Sequence, residues 1–98
     1  MDIKARLTQE VQECLDRISS FSWDVHAQAI RKRYPRPAGD TFGFKVDGIY
    51  FDVGDSAGWL DRQDGDILLT AFVTAFPDSN NEDGIREERS VVVKRPRP

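Results

Sequence analysis

The sequence predicts an α+β fold: two N-terminal helices packed on one face of a four-stranded antiparallel sheet, in the order ααββββ. Three observations carry this expectation. Apolar residues recur at helical spacing up to Tyr34 and at alternate positions from Phe42 onward. Asp47-Gly48 separates two alternating runs, as a tight hairpin turn does. The chain has 98 residues, 39% hydrophobic and 32% charged, which suits a single domain and argues against disorder. Residues 1–94 are read as that domain, and 95–98 as a basic, proline-rich tail.

The first helix is expected over residues 3–19. Ile3, Leu7, Val11, Cys14, Leu15 and Ile18 share one face, and Lys4, Arg6, Gln9, Glu10, Glu13 and Asp16 lie on the others. Asp2 is placed to cap it, and Ser19-Ser20 to end it. Ser22 caps a second helix with Asp24 in its first turn and an apolar stripe of Trp23, Ala27, Ile30 and Tyr34. Pro35 disfavours helical backbone at Tyr34, so that helix stops near Arg33. Arg31, Lys32 and Arg33 then sit at the negative end of the helix dipole.

Phe42, Phe44 and Val46 alternate with polar positions, as do Ile49, Phe51 and Val53. A two-residue type I′ turn needs positive φ at both central positions, which Asp47 and Gly48 tolerate. The turn then sets Val46 opposite Ile49, Phe44 opposite Phe51, and Phe42 opposite Val53, with these side chains on one face. Gly54 to Gly65 reads as a long connection anchored by Trp59 and Leu60. Asp66 to Phe76, apolar or neutral on both faces, reads as a central strand. An exposed polar loop leads to a fourth strand over Arg86 to Lys94, whose charged start suits an edge.

The net charge of −3 is unevenly spread. Residues 38–84 hold ten carboxylates against Lys45 and Arg62, a balance of −8, whereas 24–37 and 85–98 each carry +3. A sequence pI near 5.1 disfavours a nucleic-acid module. The N-terminus lacks the apolar core of a signal peptide and no run suggests a membrane span, so a cytoplasmic protein is expected.

Chemical motifs are sparse. Gly54-Asp55-Ser56-Ala57-Gly58 matches the nucleophile-elbow pattern, but His26 precedes Ser56, against the order that architecture needs. The Asp61/Asp64/Asp66 and Asp78/Asn80/Glu82 clusters lack the ordering of a calcium loop, and Cys14 with His26 cannot complete a zinc site. Cys14 reads as a small core residue and His26 as a histidine bonded to backbone or a carboxylate. No cofactor or metal is expected.

These features point to a non-enzymatic protein-binding module, in its narrowest form a small acidic inhibitor or immunity-type protein covering a basic surface of its partner. Asp55, Asp61, Asp64, Asp66, Asp78, Glu82 and Asp83 would form one exposed field, with Trp59 and Tyr50 as aromatic anchors. The alternative is an assembly component that uses an exposed sheet edge. A third reading is phosphate or nucleic-acid binding through Arg31–Arg36 and Lys94–Arg97.

Overall fold

Both helices start where a short polar side chain accepts a free backbone N–H. Asp2 accepts from Ala5 at the head of α1 (Ile3–Ser19), and Ser22 from Val25 at the head of α2 (Trp23–Arg33). Tyr34, before Pro35, has left helical geometry and closes α2. The computed structural model describes residues 1–77 and 84–97. After the helices come β1 (Thr41–Val46), β2 (Ile49–Trp59), β3 (Ile67–Phe76) and β4 (Ile85–Val93).

The strands form one antiparallel sheet in the order β1-β2-β3-β4. Asp47 and Gly48 both have positive φ, and Val46↔Ile49, Phe44↔Phe51 and Phe42↔Val53 are paired. β3 is an inner strand and β4 an edge, as their composition implied.

One expectation fails in the middle of the chain. Gly54 to Trp59 is not a connection but the second half of β2, paired residue by residue from Gly54↔Phe72 to Trp59↔Ile67. The actual connection is short. The Leu60 N–H donates to the Asp66 carbonyl, and Gly65 donates to Arg62 within the turn. Leu60, expected to anchor this segment, is exposed. An inner strand as long as β3 needs neighbours of matching length on both sides, and that tertiary demand overrides the weak strand preference of Gly, Asp and Ser.

The core lies between the helices and one sheet face. Leu7, Val11, Cys14 and Ile18 of α1 and Ala27 and Ile30 of α2 meet Phe51, Val53, Ile67, Leu69, Ala71 and Val73, all buried. α1 packs across β2, β3 and β4, and α2 sits over β2 and β3. β1 lies beyond the main helical cover: Phe42 is 49% exposed, and the guanidinium groups of Arg17 and Arg6 lie over the Phe42 and Phe44 rings. No helix among the described residues is long and apolar enough to cross a membrane.

Candidate functional site

The residues expected to form one acidic face are divided by the fold. Along β2 the side chains alternate, which puts Asp55 and Trp59 on the helix side and Tyr50 on the open side. Tyr50 is exposed there, packed on Phe76 and covering Gly43, where a Cβ would collide with its phenol. Trp59 is half-buried against Trp23.

Two of the acids are held by neighbouring cations. Arg31 donates to Asp64 Oδ1 through Nε at 3.0 Å and Nη2 at 2.6 Å. Asp66 accepts from the Arg95 backbone N–H at 2.9 Å and from Lys94 Nζ at 3.4 Å, and these bonds, the backbone one foremost, hold its carboxyl below the usual range. Asp61 is exposed, with no ion pair among the described residues. Asp78, Glu82 and Asp83 lie outside the described residues. A single negative field is therefore not what the described carboxylates make: opposite charges interleave.

Asp55 differs from the rest. It projects from the helix-facing side of β2, where Phe51, Val53 and Ala57 on either side of it are buried. Its surroundings form a cavity of about 340 Å³ between the α1–α2 junction and β2. Ile18, Phe21, Val25, Ala29, Ala38 and Leu69 supply apolar walls, and Phe21 and Val25 at the rim are each 50% exposed. Arg17, His26, Asp40, Asp55 and Ser56 are its polar residues. Asp40 closes the strand side, its carbonyl accepting the Asp55 N–H at 3.0 Å.

The electrostatics of the cavity centre on that carboxyl. Burial pushes Asp55 above the usual carboxylate range, and the neighbouring Asp40 charge adds to the rise. The Asp40 backbone N–H, Arg17 and His26 pull it down, without cancelling the rise. Asp40 itself makes a long ion pair with Arg33 at 3.6 Å. No ion pair to Asp55 exists among the described residues.

His26 is fixed rather than free. Its Nε2 lies 2.9 Å from the Ile18 carbonyl, which can only accept, so Nε2 carries a proton. Phe21 meets the ring edge-on at 6.1 Å. Cys14 lies under the floor, 1% exposed, its thiol donating to the Gly54 carbonyl at 3.6 Å. Ser56 belongs to an inner stretch of β2 instead of a strand-to-helix elbow, and alternation turns its side chain to the open face, away from His26. No three His, Cys, Asp or Glu residues come together as a metal site among the described residues.

Of the expected site residues that the structure describes, Asp55 alone lines this cavity. Arg17, His26 and Asp40 were not anticipated as its companions, because their meeting depends on how the helix junction docks. Asp55 had a readable signal: Phe51, Val53, Asp55, Ala57 and Trp59 continue one alternation, with a carboxylate in an apolar row. Comparison of the chain with protein-family models, with curated proteins and with solved structures returned no match.

Proposed function

We propose that the chain is a non-enzymatic protein-binding module whose partner presents a lysine or arginine side chain to the cavity at Asp55. The observation that carries this reading is the placement of Asp55: a half-buried carboxylate in an apolar-walled cavity, without an ion-pair partner among the described residues, while Asp64 and Asp66 have theirs. An incoming ammonium or guanidinium would offset the cost of burying that charge. The aliphatic stem of such a side chain would lie against Phe21, Val25 and Leu69. A volume near 340 Å³ is at the small end of ligand pockets, in keeping with one side chain.

The non-enzymatic part of the reading rests on the nucleophiles. Ser56 lies along the cavity, but strand alternation turns its side chain to the opposite sheet face from Asp55 and His26, and the Cys14 thiol is buried and pushed up by that burial. In its narrower form the module is an inhibitor or immunity-type protein, with Asp55 as the central contact and exposed Asp61 contributing to long-range attraction. The proposed setting is cytoplasmic, where a lone thiol stays reduced.

The test is an NMR titration of the isotope-labelled protein with N-acetyl-lysine methylamide and, separately, with the same compound acetylated at Nε. The lysine probe should shift the amides of Val25, Ala29, Asp55 and Ala57. Removing the probe's charge, or introducing Asp55→Asn, should weaken binding roughly tenfold or more, the range of a charge-assisted hydrogen bond. Equal shifts with both probes would overturn the reading.

A further inference from the structure

The outer edge of β1 has an unused row of backbone groups whose positions follow from its inner bonds. Ala38 and Ala57 exchange both backbone hydrogen bonds, and the Asp55 N–H donates to the Asp40 carbonyl. The isolated Ala38↔Ala57 bridge lies in the same register as the ladder from Thr41↔Gly54 to Val46↔Ile49. Even-numbered residues therefore turn their backbone toward β2, and Gly39, Thr41, Gly43 and Lys45 turn theirs outward. Arg33 covers the Gly39 carbonyl at 3.0 Å. For Thr41, Gly43 and Lys45 no backbone partner exists on that side among the described residues.

We propose that two copies of this chain join through β1, pairing antiparallel about a two-fold axis at Gly43. A two-fold centred on any residue of the strand sets outward groups opposite outward groups, but only the one at Gly43 pairs Thr41, Gly43 and Lys45 entirely with one another. Centred on Gly43, Thr41 lies opposite Lys45 of the second copy, so no like charges meet. Centred on Phe44 or Lys45, Thr41 or Gly43 would run against the Asp47-Gly48 turn, and in the second case two lysines would also face each other. Centred on Phe42 or Thr41, Lys45 or Gly43 would meet Gly39, whose carbonyl Arg33 already occupies. Completing all three outward pairs, with no like charges opposite, selects the first arrangement.

The side chains agree with it. Phe42 and Phe44 stack at 6.2 Å, Phe44 and Phe51 at 5.3 Å, and Phe42 is 49% exposed at the end of the row. In the paired dimer Phe42 lies opposite Phe44 of the second copy, at a closely spaced non-hydrogen-bonded position, and the aromatic row runs on across the joint. Arg6, which lies over Phe44, has Glu10 at 2.9 Å as its counter-charge. β4 is a different kind of edge, with Arg86, Glu87, Glu88 and Arg89 along it. β1 has Lys45 as its one charge and no proline, the composition of an edge left open to pairing.

Sedimentation velocity over a wide concentration range, combined with amide hydrogen exchange, tests this. The expected result is a monomer–dimer equilibrium in which the Thr41, Gly43 and Lys45 amides gain protection as concentration rises. Thr41→Pro, which removes one outward donor, and Phe42→Lys should abolish the dimer while circular dichroism stays that of the wild type. A strict monomer, a dimer indifferent to both substitutions, or unchanged exchange at those three amides in wild-type protein would overturn the proposal.

Discussion

Arg31 of α2 and Asp64 of the β2–β3 turn form a two-pronged ion pair, with Nε at 3.0 Å and Nη2 at 2.6 Å from the same carboxylate oxygen. The guanidinium lies over both indoles, 5.7 Å from Trp23 and 5.9 Å from Trp59. Nearby, Trp23 Nε1 donates to the Gly65 carbonyl at 2.8 Å. A turn rich in acids is thus tied to the basic end of a helix, and this is why Asp64 is paired with a cation instead of adding to a negative face.

This arrangement predicts an asymmetry between its two partners. Asp64→Asn keeps a hydrogen-bond acceptor and a residue that tolerates the positive φ of 64°, so it should cost no more than about 0.5 kcal/mol, as exposed ion pairs do. Arg31→Ala also strips the cover from two indoles and should cost roughly 1–2 kcal/mol, with a red shift of tryptophan emission. Urea unfolding and fluorescence of the two variants decide it; equal losses would show that the stacking contributes nothing.

A second prediction concerns pH. Burial raises the Asp55 carboxyl in the folded chain, so the folded state binds that proton more tightly than the unfolded state. The favourable contribution is therefore present at low pH and is lost as pH climbs from the ordinary carboxylate range through the raised value. Asp55→Asn should match the wild type in acid, where the two side chains are close in shape and both neutral, and exceed it in melting temperature at neutral pH. A variant less stable than wild type at neutral pH would show that the charge is compensated inside the fold.

Cys14 offers a third. The thiol is 1% exposed, and burial pushes it above its ordinary range even though Arg17 draws it down. Alkylation by iodoacetamide at mildly alkaline pH should be undetectable in the folded protein and rapid in urea, because both access and thiolate fraction are restored there. Rapid modification of the native chain would contradict the packing of α1 on β2.

Phe51 and Phe42 give a graded test of the core. Phe51 is fully buried, whereas Phe42 is 49% exposed at the end of the same aromatic row. Phe51→Ala should cost about 3–5 kcal/mol and Phe42→Ala about 1 kcal/mol or less, measured by chemical denaturation at a concentration too low for association. Comparable losses at both positions would mean that the helices cover β1 as fully as β2.

The parts of this fold that were legible in the sequence are those decided locally. Asp2, Ser22 and Asp47-Gly48 each satisfy a requirement within a few residues, so both helix starts and the hairpin register could be read directly. The second half of β2 could not, since Gly54, Asp55, Ser56 and Gly58 carry little strand preference of their own. They are extended because β3 pairs along its whole length, and Phe72 fills the space over Gly54 where a side chain would be. The same reason hid the cavity. Asp55 read as an exposed loop carboxylate becomes, once β2 is extended, a charge facing Ile18 and Leu69 beside Arg17 and His26. The ion pairs of Asp64 and Asp66 were equally out of reach, because Arg31 and Lys94 meet them only across the packed layers.

The carboxyl of Asp55 can be followed directly by carbon-detected NMR as pH is varied, first alone and then with N-acetyl-lysine methylamide in excess. The account predicts a midpoint above the ordinary carboxylate range in the free protein and a shift downward with the probe, since a nearby cation favours the ionised form. A midpoint in the ordinary range, or one that stays raised when the probe is saturating, would contradict it.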